Sequence, residues 1–302
     1  MSDKEKTKLE AFADGQTMRK RQSPKRKKSS AQDSVQKKSK NKKKAVAKPL
    51  ETPAIVVKDN LAQVEEQHNV IFKPNAGPQT DFLAAGEREV LYGGSAGGGK
   101  SYAMLADPLR FMGHPAFSGL LLRHTTEELR ELIFKSQEMY PKIWPGIKWS
   151  ERKMQWTAPS GARLWMSYLD REDDVLRYQG QAFNWIGFDE LTQWPTPFAW
   201  NYMRSRLRST AHDLPVYMRA TTNPGGRGHH WVKKMFIDPA PHNKSFDATD
   251  IETTEVLKYP AGHKKAGKAL FKRKFIPARL SDNPYLAEQG DYEAMLLSLP
   301  EQ

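Results

Sequence analysis

The apolar positions of this chain gather in short continuous runs that alternate with longer amphipathic stretches. Four runs predict buried strands, at residues 90–92, 120–122, 185–188 and 216–220. Apolar residues at helical spacing predict helices at residues 64–68, 100–112, 126–140 and 197–206. Short apolar strands that alternate with helices are typical of a parallel, doubly wound α/β sheet, and this is the predicted fold class.

One stretch departs from this alternation and indicates an antiparallel hairpin. Residues 153–157 and 163–168 both have strand character, and a Pro-Ser-Gly turn sequence lies between them. Thr125 or Thr126 is the expected N-cap of the helix that follows the second strand, because a hydroxyl there can accept a hydrogen bond from the first helical turn. Both features are local, and neither changes the predicted fold class.

The distribution of charge divides the chain more sharply than its apolar pattern does. Of the formal net charge of +13, residues 1–50 carry +12, from 17 Lys and Arg against 5 Asp and Glu. This segment cannot bury enough apolar surface to offset the entropy of ordering, so we expect a disordered, Lys/Arg-rich tail over residues 1–60. Two interpretations stay open: an inert solubilising segment, or one that contacts nucleic acid phosphates through charge density alone.

Composition also excludes several classes of protein. The 302 residues contain no cysteine, which rules out disulfides, thiolate zinc sites and cysteine nucleophiles and suits a reducing compartment. No apolar run approaches the ~18 residues of a membrane span. The N-terminus lacks the apolar stretch of a signal peptide. We therefore expect no membrane partner.

The strongest chemical signal lies between the first predicted strand and the helix at 100–112. Residues 94–101 match the phosphate-binding pattern G-x-x-x-x-G-K-[ST] at every fixed position, which chance gives in roughly one random chain in a hundred. They are Gly94, Ser95, Ala96, Gly97, Gly98, Gly99, Lys100 and Ser101. The glycines let backbone N–H groups face phosphate oxygens, Lys100 supplies a counter-charge for the β- and γ-phosphates, and the Ser101 hydroxyl is a ligand for Mg²⁺. The expected cofactors are ATP and Mg²⁺.

A pair of carboxylates follows a later strand and completes the expected site. Asp189 and Glu190 come directly after the apolar run at 185–188, at the edge where open α/β sheets bind ligands. Asp189 is expected to hold magnesium, directly or through water, and Glu190 to orient and deprotonate the attacking water. An Asp-Glu pair alone often only starts a solvated loop. About 90 residues after a full phosphate loop, however, it indicates hydrolysis in addition to nucleotide binding.

A third polar cluster follows the strand at 216–220. Thr221, Thr222 and Asn223 lie at the C-terminal end of that strand, where side chains can sense the γ-phosphate. The Asn-Pro-Gly sequence that begins at Asn223 is also strong turn chemistry, so an ordinary capped turn is the alternative interpretation. The two preceding elements favour a role in the nucleotide site.

Together these three elements resemble the large terminase subunit of tailed bacteriophages, the motor that pumps DNA into a procapsid. The resemblance runs from about residue 72 to residue 283, and it is closest in residues 93–101, 178–193 and 221–226. It implies a P-loop NTPase fold of the additional-strand, catalytic-glutamate type, working in the host cell cytoplasm. The implied partners are double-stranded DNA, the portal and procapsid, a small terminase subunit and other copies of the chain in a docked homo-oligomeric ring.

The resemblance also assigns roles that the chemistry alone does not. Gln79 corresponds to the adenine-reading glutamine ahead of the phosphate loop, and its amide offers both a donor and an acceptor to the base. Thr221, Thr222 and Asn223 correspond to the motif that couples hydrolysis to movement. Arg123 corresponds to an arginine that meets the γ-phosphate in cis or from a neighbouring subunit. The alternative for Arg123 is a structural ion pair with a nearby carboxylate such as Glu127. Further candidates for the same role are Arg204, Arg206 and Arg208.

In one respect the chain departs from the family pattern. Full-length large terminases continue into an RNase H-like nuclease, and residues 281–302 leave no room for one. We expect residues 61–280 to form the ATPase domain and residues 281–302 to begin a C-terminal linker. Nuclease activity is not expected of this chain. Three interpretations stay open: a truncated product, a fragment, or one half of a split terminase whose nuclease half is encoded separately.

Two other function classes stay open at this level. A helicase-like or recombination motor would use the same kind of site, but roughly 80 residues after the Thr-Thr-Asn cluster are too few for a second RecA-like domain. A non-catalytic DNA-binding or scaffold protein would carry a degenerate phosphate loop. The intact Lys100, Ser101, Asp189 and Glu190 disfavour this last class.

Overall fold

The computed structural model describes residues 72–95 and 97–284 of the chain. The tail expected at 1–60, the helix expected at 64–68, the loop residue Ala96 and most of the expected linker lie outside the described residues. No helix within the described ranges is long and apolar enough to cross a membrane.

The strands form one sheet of nine. In chain order they are β1 (Glu89–Gly94), β2 (Ser118–Arg123), β3 (Lys148–Ser150), β4 (Gln155–Thr157), β5 (Arg163–Tyr168), β6 (Trp185–Phe188), β7 (Tyr217–Thr222), β8 (Ser245–Asp247) and β9 (Lys272–Ala278). Their order across the sheet is β3-β4-β5-β2-β6-β7-β1-β9-β8. The six strands from β5 to β9 in this order are parallel, and β3, β4 and β8 add antiparallel edges. The predicted hairpin is confirmed as β4 and β5.

The position of β7 defines the type of α/β fold. It lies between β1, which leads into the phosphate loop, and β6, which ends just before Asp189. The parallel register places Gly93 beside Thr222 and Phe188 beside Ala220. The C-terminal ends of the three strands therefore meet at one edge. This confirms the predicted doubly wound, mostly parallel sheet with an additional strand between the two nucleotide motifs.

Five α-helices lie within the described residues. They are α1 (Pro78–Ala84), α2 (Lys100–Ala106), α3 (Thr126–Ile143), α4 (Phe198–Arg204) and α5 (His229–Val232). The predicted helix at 100–112 is α-helical only to Ala106 and continues as the 3₁₀ turn Asp107–Phe111. Pro108 explains this change, because it has no N–H to donate and its ring clashes with the preceding turn of an α-helix. Thr125 caps α3, where its hydroxyl accepts from the Glu128 N–H at 3.3 Å.

Alternation along the buried strands builds a core on each face of the sheet. Val90 and Tyr92 of β1 pack into one cluster with residues of α1, α2 and α3. Leu91, between them in sequence, packs into a second cluster with residues of α4 and α5. Because both faces are covered, both sets of positions are apolar, and the strand appears in the sequence as one continuous apolar run.

Candidate nucleotide-binding site

The phosphate loop connects β1 to α2 at the C-terminal edge of the sheet. Gly94, Gly97 and Gly99 have φ values of 136°, 83° and 72°, in a region that residues with a side chain rarely adopt. Gly94 also lies so close to β9 that a Cβ atom there would be 2.0 Å from the carbonyl oxygen of Ala278. The path of the backbone therefore requires glycine at these positions.

Lys100 begins α2 and is buried inside this loop. Its ammonium donates to the carbonyl oxygen of Ser95 at 2.6 Å and to that of Gly94 at 3.4 Å. Burial lowers the pKa of Lys100, and the carboxylates of Glu190 and Asp189 oppose this shift. The ammonium thus lies beside the loop and within the field of two carboxylates, where phosphate oxygens could compete for it.

Gln79 lies on α1 with its side chain buried against the loop. Its amide nitrogen donates to the Gly99 carbonyl oxygen at 2.9 Å, and its amide oxygen accepts from the backbone N–H of Asn75 at 2.6 Å. Both polar ends of the side chain therefore bind the protein itself. The adenine-reading role that the resemblance implies for Gln79 stays a prediction.

Asp189 follows β6 and is almost completely buried. Thr221 donates its hydroxyl to Oδ1, and Arg123 Nη1 donates to Oδ2 at 2.7 Å. Arg123 Nε also lies 3.5 Å from Glu128 Oε2. Arg123 therefore forms ion pairs within its own chain, with Asp189 and Glu128, whereas Glu127 was the example given for that alternative interpretation.

Glu190 adopts a left-handed backbone conformation, with φ 59°. Asn223 holds its carboxylate: the backbone N–H donates to Oε2 at 2.9 Å and the side-chain amide to Oε1 at 2.8 Å. Burial raises the pKa of Glu190 and the charge of Asp189 raises it further, while nearby cations and the Asn223 N–H oppose the shift. A carboxylate with a raised pKa is a stronger proton acceptor, which is what a general base needs.

The two threonines at the end of β7 face opposite sides of the strand, as alternation requires. Thr221 donates to Asp189 and also accepts from the Glu190 N–H at 3.1 Å. Thr222 donates to the hydroxyl of Thr192 at 2.8 Å, in the 3₁₀ turn that follows Glu190. The threonines thus contact both the carboxylate pair and the turn after it. The coupling role of Thr221, Thr222 and Asn223 stays a prediction.

A polar pocket of about 430 Å³ lies among these residues, although Gln79, Thr221 and Thr222 are not among those that line it. The residues that line it include Gly97, Gly98, Gly99, Lys100, Ser101, Arg123, Asp189, Glu190, Asn223 and Asn283. In the described part of the chain, no group of three or more His, Cys, Asp or Glu side chains could hold a metal alone. A magnesium ion here would need phosphate oxygens or water as further ligands, which is the usual arrangement for this ion.

Three residues of the site carried no signal in the sequence analysis. The Tyr92 hydroxyl donates to the Gly98 carbonyl oxygen at 2.9 Å, although Tyr92 counted only as an apolar strand residue. Asn283 donates to the loop from a position after β9. Glu128, in the first turn of α3, pairs with Arg123. The only signal for Tyr92 in the sequence was its position at the end of a predicted buried strand, next to the phosphate loop.

The further arginine candidates lie outside the pocket. Arg204 pairs with Glu89 at the start of β1, the opposite end of that strand from the phosphate loop. Arg206 and Arg208 bind neighbouring surface groups. None of the three is among the residues that line the pocket, so they are not candidates for a γ-phosphate contact within one chain.

The sheet order, the phosphate loop and the carboxylate pair define the class of protein: a P-loop NTPase with an additional strand between its two nucleotide motifs. The family model of the terminase large subunit, T4likevirus-type, N-terminal, matches residues 91–278. Since this range exceeds half of the chain, the protein belongs to this family of large terminases. Membership implies ATPase activity, and it favours a packaging motor over a helicase-like or recombination motor.

Two large terminases are among the solved structures that share this fold. The large terminase ATPase domain of Thermus phage P74-26 is 13% identical, with a TM-score of 0.51, and the match covers 76% of this chain and 90% of that one. A large terminase from a second, thermophilic bacteriophage is 16% identical, with a TM-score of 0.53, and the match covers 76% of this chain and 51% of that one. The chain therefore spans about half the length of this second terminase. Among curated proteins there is no match.

Proposed function

We propose that this chain is the ATP-hydrolysing motor part of a phage terminase, which drives double-stranded DNA into a procapsid in the host cell cytoplasm. One observation carries the proposal: Lys100, Ser101, Asp189 and Glu190 line the same pocket. Membership of the large terminase family supports the packaging role. Its partners would be the portal of the procapsid, a small terminase subunit and further copies of the chain in a ring.

The reaction assigned to the pocket is attack of water on the γ-phosphorus of ATP, with release of ADP and phosphate. Glu190 accepts a proton from the attacking water, and the two hydrogen bonds from Asn223 hold its carboxylate in one orientation. Lys100 exchanges its carbonyl partners in the loop for phosphate oxygens and offsets their charge. Such positioning and charge compensation are the main contributions of a protein to phosphoryl transfer.

Magnesium fits the donor set of this pocket. The Ser101 hydroxyl and the Asp189 carboxylate are oxygen ligands of the kind that this ion prefers, and ATP would supply more. When bound, magnesium neutralises charge that develops on the phosphates. Asp189 Oδ2 accepts a hydrogen bond from Arg123 at 2.7 Å, so the carboxylate that would hold the ion is already held in place by a cation of the same chain.

Two variants test the nucleotide site. Lys100→Ala should abolish hydrolysis and weaken ATP binding strongly, because the phosphates lose their counter-charge. Glu190→Gln keeps the shape of the side chain but cannot accept a proton, so it should bind ATP normally and turn over slower by the ~10²–10⁴ typical of a general base. Wild-type turnover in either variant would refute the assigned role of that residue.

Two further measurements refine the proposal. If Asp189→Asn binds ATP-Mg²⁺ normally and fails only in turnover, the roles of the two carboxylates are reversed. Packaging of DNA into purified procapsids then separates a motor from a simple ATPase. A chain that hydrolyses ATP but supports no packaging with its partner proteins present would refute the motor role and leave the ATPase assignment intact.

A further inference from the structure

We infer that Asn283 is a positioning residue for the phosphate loop, an inference that rests on the proposed function of the pocket. Asn283 directly follows the 3₁₀ turn Leu280–Asp282, after β9. It belongs to none of the nucleotide motifs. The residue is 9% exposed and lines the pocket. Its proposed task is to fix the orientation of one peptide group in the loop.

Both polar atoms of the Asn283 side chain are bound. Nδ2 donates to the carbonyl oxygen of Gly97 at 2.5 Å, and Oδ1 accepts from Asn75 Nδ2 at 3.4 Å. The backbone N–H of Asn75 donates in turn to Gln79 Oε1, and Gln79 Nε2 donates to the carbonyl oxygen of Gly99. Asn75 thus joins the side chains of Asn283 and Gln79, one bond through its own side chain and one through its backbone N–H, and the two amides hold two carbonyl groups of the loop.

Because the peptide group is planar, a hydrogen bond that fixes its C=O also fixes the direction of its N–H. In a trans peptide, the C=O group and the following N–H point in opposite directions. The bond from Asn283 to the Gly97 carbonyl therefore also fixes the direction of the Gly98 N–H. Gly97 has no side chain that would restrict its rotation, and its φ is 83°. Without the Asn283 amide, this peptide group would lose its orientation before phosphate binds.

Asn283 is also connected rigidly to the strand beside the loop. The Ser95 N–H donates to the Ala278 carbonyl oxygen at 3.0 Å, which ties the start of the loop to the end of β9. The turn between them is fixed because the Asp282 carboxylate accepts from the Arg279 N–H at 2.6 Å. Asn283 therefore transmits the position of the chain after β9 to the phosphate loop.

The ADP affinity of the 302-residue chain, measured by titration calorimetry, tests this role. Asn283→Ala should weaken ADP binding by about 3- to 10-fold, the effect of one hydrogen bond of ordinary strength. Asn283→Asp should weaken it further, because a carboxylate cannot donate to the Gly97 carbonyl and adds negative charge beside the phosphates. When the rate of hydrolysis is measured over a range of ATP concentrations, KM should rise more than kcat falls in both variants.

Asn184→Ala is the matched control. Asn184 is also buried, and its Oδ1 accepts from the backbone N–H of Ser118 at 3.0 Å, next to the start of β6 at the opposite edge of the sheet. Both alanine variants should lower the unfolding temperature, but only Asn283→Ala should lose ADP affinity. Wild-type ADP affinity in Asn283→Ala, or an equal loss in the control, would overturn the inference. Retained ADP affinity in Lys100→Ala would instead refute the nucleotide site itself.

Discussion

Glu190 combines a backbone conformation that costs free energy with two sets of hydrogen bonds that stabilise it. A residue with a side chain held at positive φ costs on the order of 1–3 kcal/mol, and such residues cluster at functional sites. Here the Glu190 N–H donates to Thr221, and the carboxylate accepts two hydrogen bonds from Asn223. These contacts fix the side chain toward the pocket that Lys100 also lines. At the scale of single residues, the strained backbone of Glu190 is therefore associated with a carboxylate that is held in one orientation.

The pKa of Glu190 leads to a prediction about pH. Burial and the charge of Asp189 raise this pKa, so Glu190 takes up a proton at a higher pH than an ordinary glutamate does. Only the deprotonated form can accept a proton from water. We therefore expect kcat, measured at saturating ATP and magnesium, to fall as the pH is lowered through this raised pKa and to level off above it.

Asn223→Ala provides the companion measurement. The side-chain amide of Asn223 donates to the charged carboxylate at 2.8 Å and stabilises it. Its removal should move the acidic limb of the pH profile to higher pH in addition to lowering kcat. A limb at the pH of ordinary glutamates, unmoved in Asn223→Ala, would contradict the assignment of Glu190 as the base.

At the scale of elements, a buried ion cluster joins strands and a helix at the edge opposite the pocket. Glu89, at the start of β1, pairs with Arg273 of β9 at 2.8 Å and with Arg204 at the end of α4. Burial alone would raise the pKa of Glu89, but the two arginines outweigh it and the pKa is lowered. The carboxylate is therefore charged in the folded protein, and one charge holds three elements together.

Glu89→Gln should destabilise the fold by about 3–5 kcal/mol, the cost of leaving buried charges without a partner. The loss in free energy of unfolding is fully present above the ordinary pKa of glutamate. It shrinks as the pH falls through the lowered pKa that Glu89 has in the folded protein. Denaturant unfolding measures it. Asp238→Asn removes the exposed pair with Lys233 and, as the control, should change stability by about 1 kcal/mol or less. Equal effects of the two variants would show that the cluster is dispensable.

The sequence predicted those strands and helices that a contiguous pattern of apolar residues identifies. The four apolar runs became β1, β2, β6 and β7 because both faces of each strand are covered. Strand β9 was missed because Lys272, Arg273 and Lys274 form a charged run that suggests an exposed loop, although Arg273 is buried against Glu89. Helix α1 was missed because its seven residues, Pro78–Ala84, are too few to show a clear helical repeat of apolar positions.

The same distinction applies to the candidate site. The phosphate loop and the Asp189–Glu190 pair were predictable because each is a contiguous segment whose spacing carries its geometry. The bond from Arg123 to Asp189 spans 66 residues, and that from Asn283 to Gly97 spans 186. Such contacts depend on which strands are neighbours in the sheet, and the order of nine strands does not follow from local pattern.

At the scale of the whole molecule, charge is concentrated outside the ATPase part. Residues 51–302 carry 31 Lys and Arg against 30 Asp and Glu, whereas residues 1–50 carry +12. We expect removal of residues 1–50 to lower non-specific affinity for double-stranded DNA and to flatten its salt dependence, because fewer counterions are released. ATP hydrolysis without DNA should barely change.

A tail in which Gln replaces the Lys and Arg residues of 1–50 separates charge from length. This variant should lose as much DNA affinity as the deletion does. Affinity and salt dependence that match the wild-type protein in both variants would favour the inert-tail interpretation. Loss in the deletion alone would indicate that the length of the tail matters and its charge does not.

A ring motor can complete its active site with an arginine from the same subunit or from a neighbour, and the geometry of Arg123 favours the same subunit. Its side chain is 15% exposed and is held by Asp189 and Glu128 of its own chain. A neighbour could use it only if both contacts broke and the side chain left a largely buried position. Arg123 lines the pocket of its own chain together with Lys100 and Glu190, and an arginine in such a site contributes ~10³–10⁵ in rate to phosphoryl transfer.

Mixed assemblies distinguish the two arrangements. Arg123→Ala subunits and Glu190→Gln subunits should each hydrolyse ATP slowly, and for an arginine that acts in its own subunit no interface between them restores a complete site. We therefore expect a mixture to be no more active than the two variants measured separately, with assembly on procapsids confirmed. If Arg123 acted on a neighbour, some interfaces would join an intact Arg123 to an intact Glu190, and activity would partly return. Recovery that varies with the mixing ratio would therefore refute action within one subunit, because only a shared site depends on which subunits are adjacent.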